Sequence, residues 1–136
     1  MRQTFKKYER LHGKTTIDCL FSQGKSFFLH PFIVYHQIVP TTGSSPLFTV
    51  LLSVSKKKIP HATQRNLVKR RMREAFRRNK DLFYNKITAL QTNSLHLAFV
   101  YISNEILSYA LIEKKMMEAV SVLLLNEDDI NDTKSY

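Results

Sequence analysis

The sequence predicts an α+β fold: a short helix, two or three strands, a long helix, one more strand and a closing helix. The strands form one small sheet on which the helices pack. Three observations carry that prediction. The chain has 136 residues, 43% of them hydrophobic, which suits a single domain with a substantial core. Aromatic and β-branched runs fall at 25–39, 47–55 and 95–102. Helical patterns fill 62–90 and about 104–125.

Residues 1–9 read as a loose basic arm without the apolar stretch of a secretory signal. Thr15 or Thr16 is placed to cap a helix running to about Gln23, and Gly24 to stop it. Ile17, Leu20 and Phe21 share one face of that helix. Residues 25–39 are extended, with Pro31 marking a break or an edge position. A turn is expected at 41–46. The strand at 47–55 is apolar enough to be central. The long helix at 62–90 is expected to bend near Asn85. At 95–102, Leu95, Leu97, Phe99 and Tyr101 alternate with His96, Ala98, Val100 and Ile102. Ser103 or Asn104 should cap the last helix. The acidic tail, about 126–136, reads as loose.

No apolar run reaches the roughly 18–20 residues of a membrane helix. Cys19 stands alone, so the chain has no internal disulfide or cysteine metal cluster. A reducing cytoplasm is the expected compartment. The net charge is +10 and the pI about 9.9, so the expected partner is a polyanion, nucleic acid ahead of an anionic membrane surface.

Ten of the 21 Lys and Arg residues lie between positions 53 and 78. At 100° per residue, with Arg65 at zero, Lys69 falls near ~40°, Arg73 ~80°, Asn66 ~100°, Arg77 ~120° and Arg70 ~140°. Val68, Met72, Ala75 and Phe76 fall between ~280° and ~20°. A packing stripe therefore lies beside a basic ridge. Glu74 is the single acid within the stretch 65–78. Like charges at Arg65/Lys69, Lys69/Arg73 and Arg73/Arg77 repel by roughly a few tenths of a kcal/mol each. A helix serving only the fold would alternate signs; this one suits phosphate, and the arginine fork allows bidentate contacts. Lys56, Lys57 and Lys58 precede the helix and extend the same surface.

No catalytic residue or metal site is assigned. His12, His30, His36, His61 and His96 lack metal-ligand spacing, although His61 beside the basic turn is a candidate phosphate contact. The carboxylates form no acid/base pair, and no phosphate-binding glycine loop is present.

The stretch 52–77 is similar to the protein subunit of bacterial ribonuclease P. The matching residues are Leu52, Ser53, Val54, Ser55, Lys56, Lys57, Ala62, Arg65, Asn66, Lys69, Arg70, Arg73, Glu74, Phe76 and Arg77. Arg10, Leu11, Phe21, Gly24 and residues 32–35 match upstream more weakly. The resemblance covers roughly residues 8–125. It implies a ribosomal-protein-S5-like α/β sandwich, helix–three strands–helix–strand–helix, with a small mixed sheet and a left-handed βαβ crossover at the basic helix.

The resemblance also implies a catalytic RNA partner and a precursor tRNA substrate, with RNA-bound Mg²⁺ serving removal of the 5′ leader. Lys56, Lys57, Lys58, Arg65, Asn66, Lys69, Arg70, Arg71, Arg73 and Arg77 form the expected RNA-binding set. Ile17, Phe21 and Tyr35 correspond to the leader cleft. No membrane and no obligatory protein partner is expected. Leu67 stands where the family usually has an arginine, and Arg71 is the candidate replacement. Ile59, Pro60 and His61 replace a glycine-containing turn, and Leu51 stands where a glycine is common. A ribosome-associated RNA-binding protein and a self-sufficient nuclease are the alternatives; the missing carboxylate or histidine constellation argues against the latter.

Overall fold

The computed structural model describes residues 10–11, 13–39, 48–88 and 94–134, and their side chains except at 48, 86–88, 94 and 124–134. The elements in chain order are α1 (Lys14–Gln23), β1 (Lys25–Leu29), β2 (Phe32–Val39), β3 (Phe48–Val54), α2 (Ala62–Arg78), α3 (Lys80–Thr88), β4 (Ser94–Tyr101) and α4 (Tyr109–Lys134). The four strands form one sheet in the order β1-β2-β4-β3. β1 pairs antiparallel with β2, and β2 with β4. β3 and β4 run parallel, joined by a crossover through α2 and α3.

Alternation along the strands divides side chains between two faces. Val34, Val50, Leu52, Leu97, Phe99 and Tyr101 enter the main core, which also takes Val68, Met72, Ala75 and Phe76 of α2. Ile112, Met116, Ala119, Val120 and Leu123 of α4 complete it. Phe76 meets Phe83 edge to face at 5.1 Å. Both are fully buried, so Phe76→Ala would cost about 3–5 kcal/mol.

The opposite face carries a smaller cluster, Leu11, Leu20 and Ala98, with Ile17, Tyr35 and Leu51 packed against it. Here α1 lies on the sheet. Its end is held by Gly24, whose N–H donates to the Leu20 carbonyl. A Cβ at Gly24 would come within 2.4 Å of that oxygen and 2.9 Å of the His36 carbonyl. Close approach, rather than a left-handed φ, requires glycine here.

Several boundaries differ from expectation. α1 starts at Lys14 after Gly13, whose φ of 92° turns the chain into the helix, so Thr15 and Thr16 lie inside it. β3 is an edge strand, not a central one. Its apolar character comes from serving both clusters: Val50, Leu52 and Val54 face one, Leu51 the other. Arg10 bridges to Val50 along its outer side, and Leu11 N–H donates to the Val50 carbonyl.

The long helix breaks at Asn79, well before Asn85. The Asn79 side chain donates to the Ala75 carbonyl and to Glu113 of α4, each at 2.8 Å. The last helix begins at Tyr109, with Ser108 Oγ accepting from Leu111 N–H. Ser103 instead accepts from Glu105 N–H within the preceding connection. The helix runs to Lys134, so residues 127–132, expected to be loose, continue it. The arm at 1–9, the turn at 41–46, His12 and the expected helix end near Leu90 lie outside the described residues. No helix among the described residues is long and apolar enough to cross a membrane.

Candidate nucleic-acid interface

Helix α1 is seated by Leu20, which is fully buried among Leu11, Ala98 and their neighbours. Because residues three and four apart share a helical side, Ile17 goes into the same contact while Phe21, one step on, reaches the rim. Phe21 is 38% exposed. Its ring meets Tyr35 of β2 edge to face, with centroids 4.6 Å apart and planes at 82°. Ile17, Phe21 and Tyr35 thus gather along α1 and the sheet beneath it. The aromatic pair offers flat apolar surface at an accessible edge, the kind of platform on which bases stack.

Helix α2 supplies the cations. Its buried stripe is Val68, Met72, Ala75 and Phe76. Lys69, Arg70 and Arg73 have no hydrogen bond or ion pair among the described residues. Asn66, Arg70 and Arg73 are exposed, and Lys69 is half-buried at the stripe's border. Arg65 holds the preceding turn: its Nη1 donates to the carbonyls of Ile59 (2.9 Å) and Pro60 (2.6 Å). Ile59 is buried in the main core, so the turn is anchored from both sides without a glycine. Lys56, Lys57 and Lys58 stand exposed at its start.

The remaining arginines are engaged. Arg77 pairs with Glu74, whose carboxyl is held below the usual range chiefly by that hydrogen bond. Arg71 is half-buried and donates to the Leu107 carbonyl in the β4–α4 connection. That connection is tied from the other side by Tyr101 Oη, which accepts from Leu107 N–H and donates to the Glu105 carbonyl. Arg78 lies over the Tyr109 ring at 5.7 Å.

The aromatic edge and the basic ridge meet. A pocket of about 230 Å³ is lined by Arg10, Leu11, Val50, Leu51, Leu52, Lys69 and Arg73. Leu11 and Leu51 belong to the cluster that touches Ile17 and Tyr35. Three cations therefore ring an apolar floor continuous with the α1 contact, an arrangement suited to a phosphate with its sugar or base. Among the described residues no group of three His, Cys, Asp or Glu side chains could hold a metal ion.

The family model for Ribonuclease P matches residues 5–121. The chain belongs to the ribonuclease P protein family. A ribonuclease P protein component from Porphyromonas gingivalis is 32% identical over 114 residues, 84% of this chain and 82% of that protein. One from Maridesulfovibrio salexigens is 33% identical over 120 residues, 88% and 90% of the two chains. A Staphylococcus aureus RNase P protein mutant with defective mRNA degradation activity superposes with a TM-score of 0.66 at 19% identity, covering 86% of this chain and 89% of that one. The RNase P protein from Thermotoga maritima gives 0.60 at 22% identity, covering 82% and 94%. These two share the fold.

Among the residues expected to contact RNA in this ribonuclease P protein, the pocket unites Lys69 and Arg73. Arg70 and Asn66 lie exposed on the same helix, and Lys56, Lys57 and Lys58 lie in the adjoining turn. Arg71 is occupied in the fold, on the side of α2 facing the β4–α4 connection. It is the arginine the sequence offered for the charge missing at Leu67; the hydrogen bond orients its guanidinium and leaves its charge in place. Arg65 and Arg77 also have intramolecular partners. Arg10 was not among the expected RNA contacts. Its signal was present in the Arg10–Leu11 pair of the upstream match, but its place opposite Lys69 and Arg73 depends on the bridge to β3. His61 is exposed just before α2.

Proposed function

We propose that this protein subunit of ribonuclease P binds the catalytic RNA through the basic side of α2 and the lysine turn. On this reading it holds the single-stranded 5′ leader of precursor tRNA along α1. Hydrolysis belongs to the RNA partner, with Mg²⁺ held there; the protein contributes binding and orientation. The observation that carries the reading is the pocket joining Arg10, Lys69 and Arg73 to the cluster beneath Ile17 and Tyr35. Phosphate-binding charge and base-stacking surface are thereby continuous. Neutralising phosphates releases counterions and supplies much of the affinity. Aromatic faces add roughly 1–3 kcal/mol per stacked base without fixing its identity. We place the assembly in the cytoplasm, in keeping with the lone Cys19.

The test is reconstitution with a ribonuclease P RNA. Phe21→Ala should weaken binding of precursor tRNA about tenfold and leave mature tRNA unchanged. Equal losses for both ligands would remove the leader from the interpretation.

A further inference from the structure

On the α1 side of the sheet, successive rows of side chains cross the strands. One comprises Tyr35, Ala98 and Leu51 and lies against α1. To one side of it lie Gln37, His96 and Thr49, in register on β2, β4 and β3. Gln37 Nε2 contacts Cys19 Sγ of α1 at 3.5 Å. Gln37 Oε1, Thr49 Oγ1 and His96 Nδ1 are shut off from solvent. That side is closed. On the other side lie Phe28, Ile33, Val100 and Ser53, in register on β1, β2, β4 and β3. Ile33, Val100 and Ser53 are half-buried, and Phe28 is 63% exposed. That side is open.

Phe28 faces the same way as Tyr35. Its neighbours Phe27 and Leu29 pack on the main core, so alternation sends Phe28 to the α1 face. It pairs with Ile33 and is therefore diagonal to Tyr35, about 7–8 Å away. The exposed His30 ring stands 6.4 Å from Phe28 at 61°. An isolated exposed phenylalanine needs no explanation. This one extends the Phe21–Tyr35 surface by one strand at its open end, on a face whose exposed and half-buried rows carry no acid.

We propose that Phe28, flanked by His30, is a second base-stacking platform for single-stranded RNA, reached by a nucleotide that has passed Phe21 and Tyr35. The assignment rests on the leader-binding reading above. Its occupant is a leader extending beyond the first platform, favoured by continuity with that surface and by the strongly positive net charge of the chain. Stacking on Phe28 is tolerant of base identity, so it lengthens the segment held without adding sequence selectivity.

The experiment uses the reconstituted ribonucleoprotein and precursor tRNAs whose leaders grow one nucleotide at a time. Wild type, Phe21→Ala, Phe28→Ala and Phe28→Tyr are compared, with self-association followed by sedimentation. Phe28→Ala should match wild type on short leaders and bind about tenfold more weakly once the leader passes a threshold length. Phe28→Tyr, which keeps the ring, should behave as wild type. Phe21→Ala should show its loss at a shorter leader. A Phe28→Ala protein indistinguishable from wild type at every length, while Phe21→Ala is impaired, overturns the second platform and leaves the first standing. Absence of a length-dependent loss in both overturns the leader-binding reading as well. A loss that is equal on mature tRNA, or that tracks a change in self-association, reassigns Phe28 to another contact and overturns the proposal.

Discussion

The two flanks of α2 carry the same kinds of residue and use them differently. Towards α1, Lys69 and Arg73 line a pocket with Arg10 and have no hydrogen bond or ion pair among the described residues. Towards α4, Arg71 is hydrogen-bonded to the Leu107 carbonyl and Arg78 covers Tyr109. One flank leaves Lys69 and Arg73 without a partner among the described residues; the other uses its charge to join the helix to the β4–α4 connection. A count of cations cannot distinguish these uses, because the distinction lies in which carbonyls and rings the fold brings within reach.

The largest expected separation comes from salt dependence. Lys69→Ala combined with Arg73→Ala should reduce the slope of log affinity for ribonuclease P RNA against log salt by about 0.7–0.9 per lost contact. An unchanged slope would erase the distinction between the flanks. Arg71→Ala should do the reverse: an unaltered slope, with a loss of about 1.5 kcal/mol in urea unfolding from the missing charged hydrogen bond. A slope that falls with Arg71→Ala would return that residue to the RNA surface.

The smallest effect concerns pH. The Glu113 carboxyl is held below the usual carboxylate range, first by the Asn79 hydrogen bond, then by that of Tyr109, and by the charge of Arg78. A depressed folded pKa contributes stability that is fully present above the ordinary glutamate value, ~4.3, and is lost as pH falls through the lower folded value. Glu113 is half-buried and still reached by solvent, so the contribution is small. Glu113→Gln should make the melting temperature slightly less sensitive to acid and leave RNA affinity at neutral pH unaltered. An acid limb identical to wild type would show that the α4 flank is not tuned by this carboxyl.

The elements were legible where local pattern decides them. The buried stripe of α2 falls on the residues its helical period selects, and β4 buries Leu95, Leu97, Phe99 and Tyr101 as alternation requires. The break at Asn79 was not legible. No proline or glycine marks it, and the side chain that bridges it finds its second partner in Glu113, 34 residues on. The edge position of β3 was obscured because it carries apolar residues on both faces, for two separate clusters. Within the candidate site, Phe21 and Tyr35 could be named from the sequence, but their contact belongs to the tertiary fold. The pocket's third cation, Arg10, depends on a bridge to a strand 40 positions away.

Gly24 governs the shape of the α1 side of the sheet. With the Leu20 and His36 carbonyls both inside the space a methyl group would take, this residue fixes the gap between the end of α1 and β2. Phe21 lies three residues before it and Tyr35 one residue before His36. The absent side chain thus works as a gauge: it sets how closely the two rings approach, and so how wide an opening they leave for anything laid beside them.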